Sequence, residues 1–169
     1  MPEYSVARAS QADISTVHAL LAAAGDALAA RGWTNWVPAY PLERLTADVA
    51  QEVVWLVRDP AHAMVATYML RLAPVHPYKG IAWSTPDHSA RYMNRLAVHP
   101  LRQGEGIGSW CLAHIAESCA HEGVTAIRCD VITANVPLCR FYEQAGYVAR
   151  GTREHSGWAF TCYERVLAT

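Results

Sequence analysis

The chain has 169 residues, 52% of them apolar and 17% charged, and 14 basic side chains stand against 15 acidic ones for a formal net charge of −1. That length suits one domain spanning residues 1–169, and a near-neutral balance with no block of like charge gives no footprint for nucleic acid or an anionic membrane, which are held mainly by clustered Lys and Arg. The longest apolar runs, Val53–Val57 and Ala63–Leu70, fall far short of the roughly 20 residues of a membrane helix, and the N-terminal residues lack signal-peptide order, so a cytoplasmic protein is expected.

Ser10-Gln-Ala-Asp13 reads as a helix start, with Ile14, Val17, Leu21, Ala24 and Leu28 following at helical spacing and a break expected near Gly25. After the turn-like Arg31–Pro38, Tyr40-Pro41 opens a second, short helix with Leu42, Leu45 and Val49 on one stripe. Glu52–Arg58 and Met64–Leu72, separated by Asp59-Pro60-Ala61-His62, read as an antiparallel hairpin. Ala73–Ser89 carries Pro74, Pro77, Gly80 and Pro86 and reads mostly as loop, with the end of a strand near Ile81–Trp83.

Arg91–Val98 resumes an extended pattern, and a glycine-rich stretch then leads into a helix over Ile107–Glu122 that Gly123 ends. Ala126–Thr133 is a strand, and Asn135 caps a helix through Leu138, Phe141 and Tyr142 to Gly146. Tyr147–Glu154 and Trp158–Val166 form a last hairpin around His155-Ser156-Gly157. The order α-α-β-β-β-α-β-α-β-β predicts an α/β (α+β) fold: a mixed, mostly antiparallel sheet of six to seven strands flanked by four helices. Cys111, Cys119, Cys129, Cys139 and Cys162 are odd in number with no C-x-x-C pair, so neither a disulfide framework nor a metal site is expected.

The chemistry is most legible at Leu96-Ala97-Val98-His-Pro-Leu-Arg102-Gln103-Gly104-Glu105-Gly106-Ile107-Gly108-Ser109, where a strand runs through a glycine loop into a helix. Backbone amides at a helix start lack internal partners and carry partial positive charge, which makes an anion cradle suited to phosphate. A kinase-type P-loop requires Gly-Lys before Ser or Thr, and no lysine is near. A dinucleotide fold would match Gly104-x-Gly106-x-x-Ser109 and Asp130, but such a fold opens with this unit and repeats it, and the tail after Asp130 is too short.

Gln103-x-x-Gly106-x-Gly108 after a strand resembles the acyl-CoA pyrophosphate loop of the GNAT superfamily of N-acetyltransferases. Asn135, Tyr142 and Gly146-Tyr147 are similar to that family's asparagine, tyrosine and glycine-aromatic pattern, so two motifs covering residues 91–147 agree. The resemblance implies acetyl-CoA as acyl donor, without metal. Its pyrophosphate would lie on the amides of about Gln103 to Ser109, and Arg102, Asn135 and Tyr142 would also contact the cofactor. Its pantetheine arm would run along Leu96, Ala97 and Val98, where a backbone N–H would polarise the thioester carbonyl. An amine would attack directly.

Tyr142 matches the family's general acid, although Leu138 and Phe141 share its helix face and a packing role fits as well. The family's usual basic glutamate corresponds to Asn94, an amide that can hold a water or the amine but cannot take its proton. Asp130 could relay a proton through water. Glu154 and His155, near the final hairpin, could reach the acceptor side. Trp33, Trp36, Tyr40 and Trp83 are the candidate acceptor lining, although tryptophan is equally ordinary core filling. The expected acceptor is a small-molecule amine or a peptide N-terminus. A non-catalytic acyl-CoA-binding module and an enzyme using another acyl-CoA are the alternatives. Dimers are frequent in the family, and an exposed Trp158 could mark a homodimer interface, although the sequence shows no decisive patch.

Overall fold

The computed structural model describes residues 3–168. Its elements are β1 (Ser5–Arg8), α1 (Ile14–Ala29), α2 (Leu42–Ala50), β2 (Val54–Arg58), β3 (Met64–Arg71), β4 (Ala90–Val98), α3 (Ile107–His121), β5 (Ala126–Ile132), α4 (Val136–Gln144), β6 (Val148–His155) and β7 (Trp158–Val166). The strands form one mixed sheet in the order β1-β2-β3-β4-β5-β7-β6. Pairing is antiparallel between β1 and β2, β2 and β3, β5 and β7, and β6 and β7, and parallel between β4 and β5. The described backbone divides into two compact units: residues 3–70 with Arg95–Cys111, and Arg71–Asn94 with residues 112–168.

In the first unit the apolar stripe of α1 (Val17, Leu20, Leu21, Ala24) and that of α2 (Leu45, Val49) are buried with Val54, Leu56, Met69 and Ala97 from the strands. Each such Val or Leu contributes about 1.5–3 kcal/mol by leaving water. A capping box starts the first helical stretch: Asp13 Oδ2 accepts from the Ser10 N–H at 2.9 Å and from its hydroxyl at 2.7 Å. The expected break at Gly25 is absent, and α1 runs unbroken to Ala29. Glycine serves a different need there, because a Cβ at position 25 would lie 2.9 Å from the Trp36 carbonyl oxygen. Strand β1 was not expected, because Ser-Val-Ala-Arg is too short to show alternation and only Val6 is even half-buried.

In the second unit, β5 pairs with β4 over Ala90–Tyr92 and with β7 along Ala126–Ile132. The hairpin β6–β7 closes on Ser156 and Gly157, whose φ of 50° and 79° give the mirror-image turn that matches strand twist. The strand end expected near Ile81–Trp83 does not form, and the segment from Leu72 to Ser89 is a strap with only a short 3-10 turn at Asp87–Ser89. Prolines and glycine deny it a ladder, so side-chain bonds hold it instead. Arg128 and Glu164 are both fully buried and face each other at 3.3 Å. Arg128 donates to Asp87 Oδ1 at 2.6 Å, to the Tyr92 hydroxyl at 2.8 Å and to the Thr85 carbonyl. Glu164 accepts from the Ser84 N–H and hydroxyl at 2.9 and 2.6 Å, from the Thr85 hydroxyl at 2.8 Å and from Arg150 at 2.9 Å. Burial pushes its carboxyl up, but the bonds from Ser84 and Thr85 and the Arg128 charge outweigh that and hold its pKa down to about 2.

Candidate functional site

In the first unit, β4 ends at Val98 and a 3-10 turn (Pro100–Arg102) leads into the glycine loop. Gly104 and Gly106 sit at φ of +86° and +81°, a region that disfavours any side chain, and a Cβ on either would meet nothing within 4 Å. The loop therefore presents bare backbone to open space. Residues 103–106 are exposed, whereas Ile107 is buried and pins the start of α3. The first backbone bond of that helix runs from the Trp110 N–H to the Gly106 carbonyl at 3.0 Å. The N–H groups from Gly104 to Ser109 have no backbone partner among the described residues, which is the arrangement that binds phosphate at a helix start.

Arg102, expected to contact the cofactor, is tied down: Nη1 donates to Asp59 Oδ2 at 2.9 Å and Nε to both oxygens of Glu105 at 2.9 Å. Asp59 also accepts from the Ala61 and Ala63 amides at 3.0 Å, so the β2–β3 turn anchors the loop, and the Arg102 bond holds the Asp59 carboxyl below its ordinary pKa. The Gln103 side-chain oxygen accepts from Arg31 at 3.1 Å. Sequence reasoning missed Arg31 and read Asp59 as a turn residue only. Asp-Pro between two hairpin strands signals a turn and says nothing of a distant arginine.

Arg95, also missed, stands inside β4 at a φ of +56°, a costly conformation for a residue with a Cβ. Its guanidinium lies 4.9 Å from the Trp36 ring centre and 4.7 Å from that of Tyr40, whose hydroxyl donates to Asp48 at 2.7 Å. Two of the candidate lining aromatics are thus brought together around the arginine that carries the kink. Trp33 is half-buried, with its N–H bonded to the Leu28 carbonyl at the end of α1.

The remaining candidates belong to the second unit. Asn135 is buried and caps α4, accepting from the Leu138 N–H at 3.3 Å. Tyr142 is buried, edge-on to Tyr147 with ring centres 5.3 Å apart and stacked on Tyr163 at 6.3 Å. Tyr163 is fixed in turn by donating to Glu143 at 2.9 Å. The Asn94 side-chain oxygen is buried and has no hydrogen-bond partner among the described residues, a deficit of about 1–3 kcal/mol unless a ligand or water meets it. Asp130 is clasped by Arg153 through Nε at 2.8 Å and through Nη2. Trp83 lies 4.5 Å from the Arg128 guanidinium, and Glu154 is exposed on β6 opposite Ala159. Trp158 is half-buried. Among the described residues no group of three or more His, Cys, Asp or Glu is placed to hold a metal, and no helix is long and apolar enough to cross a membrane.

Comparison with known proteins agrees with this geometry. The chain is 34% identical over 79 residues to tRNA(Met) cytidine acetyltransferase of Citrobacter koseri, a stretch that is 44% of this chain and 11% of that one, so it spans about a tenth of that relative's length. The fold superposes on a GNAT-family acetyltransferase of Streptococcus agalactiae with a TM-score of 0.84 at 19% identity, and on one of Listeria monocytogenes with a TM-score of 0.81 at 20%. Each covers 98% of this chain and 96% of the other. A model of the acetyltransferase (GNAT) family matches residues 30–147, and the chain belongs to that family.

Proposed function

We propose that this acetyltransferase uses acetyl-CoA and a primary amine, carried by a small molecule or a peptide N-terminus. The observation that carries the reading is the row of amides from Gly104 to Ser109 that have no backbone partner among the described residues, opened by two glycines whose absent side chains leave the approach clear. In this reading residues 103–109 bind the diphosphate through peptide nitrogens, and Leu96, Ala97 and Val98 lie along the pantetheine arm. Bound acetyl-CoA supplies an activated acetyl thioester. The positive φ at Arg95, whose guanidinium meets Trp36 and Tyr40, interrupts the regular strand geometry just ahead of Leu96, Ala97 and Val98, and a backbone N–H there would serve a developing negative oxygen.

The chain's own proton chemistry follows from three groups. An alkyl amine with a pKa of about 10 is mostly protonated at neutral pH and must shed a proton to attack. The buried, unpartnered oxygen of Asn94 can accept a hydrogen bond from that nitrogen or from a water that removes the proton, orienting it without taking the charge. Asp130, with Arg153 on its carboxylate, can act only through a water on its other lone pairs. The Tyr142 hydroxyl protonates the departing sulfur, its ring held by Tyr147 and Tyr163.

Thiol release from acetyl-CoA across a panel of amines tests the reading. Turnover with at least one amine is expected. A protein that binds the coenzyme but releases no thiol with any of them is instead a non-catalytic acyl-CoA module.

A further inference from the structure

The second unit contains a cavity of about 720 Å³ formed by the strap and the start of β4, within the usual size of a small-molecule site. Its walls set the aliphatic and aromatic faces of Tyr78, Ile81 and Trp83 beside the polar side chains of Thr85, Asp87 and His88. These walls are fixed in advance. Trp83 lies over Arg128, the Tyr92 hydroxyl and Thr85 are bonded into the Arg128–Glu164 cluster, and Tyr78 stacks on Tyr92 at 5.9 Å. Ile81 is packed so closely on β6 that a Cβ at Gly151 would come within 3.0 Å of it.

A buried ion pair is at best a weak source of stability compared with apolar filling, so its consequence here is positional: it pins a strap that has no ladder bonds. Among the described residues Asp87 is the one carboxylate on the lining, with the His88 imidazole beside it and one of its oxygens bonded to Arg128. The Arg128 guanidinium is fully buried and satisfied by carboxylates, a carbonyl and hydroxyls, whereas Asp87, whose side chain is 81% exposed, puts a carboxylate on the lining. An apolar body with a cationic end fits such walls, and an anionic end does not.

We propose that this cavity binds a primary amine carried on an apolar or aromatic group, with the ammonium at Asp87 and the body against Trp83 and Tyr78. Its role as the acetyl acceptor's binding site rests on the amine-acetylation reading above.

Calorimetry without coenzyme separates the two claims, using 2-phenylethylamine, 2-phenylethanol and phenylacetate on the full chain. The amine is expected to bind at least about tenfold more tightly than the alcohol or the acid, and Asp87→Asn to reduce that preference to about threefold or less. Ala82→Trp, at an exposed lining position, should weaken all binding by about tenfold with the melting temperature unchanged. Equal binding of amine, alcohol and acid, or binding indifferent to both substitutions, overturns the proposal. If Ala82→Trp does not fold, the Asp87→Asn comparison alone decides. Amine binding here by a protein that never releases thiol upholds the cavity and defeats the acetylation reading. An unchanged KM for 2-phenylethylamine in a folded Ala82→Trp enzyme does the reverse.

Discussion

Tyr142 illustrates why a motif residue needs its neighbours before its role can be tested. Its ring is packed against Tyr147 and Tyr163, so truncation would disturb the core, and Phe is the informative replacement. Tyr142→Phe keeps the ring contacts and removes only the hydroxyl. If that hydroxyl is the acid, kcat should fall by about 10²–10⁴ while CoA affinity stays within about twofold, as steady-state kinetics and calorimetry would show. Equal loss of affinity and turnover would indicate a packing role. Asn94→Leu tests the orphaned oxygen. It removes a buried acceptor with no partner, so stability should hold or rise slightly while KM for the amine increases, by about tenfold if one hydrogen bond is lost. The motif residues were legible in the sequence because glycine at a helix mouth and a capping asparagine act locally. Arg95 was not legible, because nothing beside it in the sequence signals a positive φ and the Trp36 and Tyr40 rings that meet its guanidinium are distant in the chain.

At the level of elements, α1 shows how a local rule yields to packing. Glycine inside a helix predicts a weak point, yet α1 is continuous because the backbone of the loop carrying Trp36 needs the space a side chain would fill. Gly25→Ala, which on helix propensity alone would stabilise by about 1 kcal/mol, should destabilise the protein instead. It should also displace Trp36 from Arg95 and lower turnover, with thermal melts and Trp fluorescence as the readouts. A rise in melting temperature would show that the 2.9 Å approach relaxes without strain. The strap from Leu72 to Ser89 is the opposite case. Its prolines announced a loop correctly, but nothing near them in sequence announced that Arg128 and Glu164, on β5 and β7, would hold it. Strand β1 escaped notice for a related reason, since its pairing with β2 is long-range and its own four residues carry almost no pattern.

For the whole molecule, the order of helices and strands was readable from periodicity and turn chemistry, and the mixed seven-stranded sheet follows that order with one strand added at its edge. The acid response belongs to the same scale. Glu164 has its carboxyl pKa lowered from an ordinary 4.5 to about 2, so it contributes stability that is complete above pH 4.5 and lost as pH falls toward 2. Asp13, held low by its bonds to Ser10, adds to the same limb. Melting temperatures across that window should fall steeply in the unaltered protein and less steeply in Glu164→Gln, which will already be weakened at neutral pH because Arg128 loses a buried partner. Parallel acid limbs would contradict the assignment.

The glycine cradle carries the functional account, and its direct measurement is a calorimetric titration of CoA into the unaltered protein and into Gly106→Val. Saturable one-to-one heat is predicted for the first. For the folded variant, whose β-branched side chain must sit at a φ of +81° in front of the amides, at least about tenfold weaker uptake is predicted. No heat with the unaltered protein, or equal affinity in a folded variant, would contradict the account.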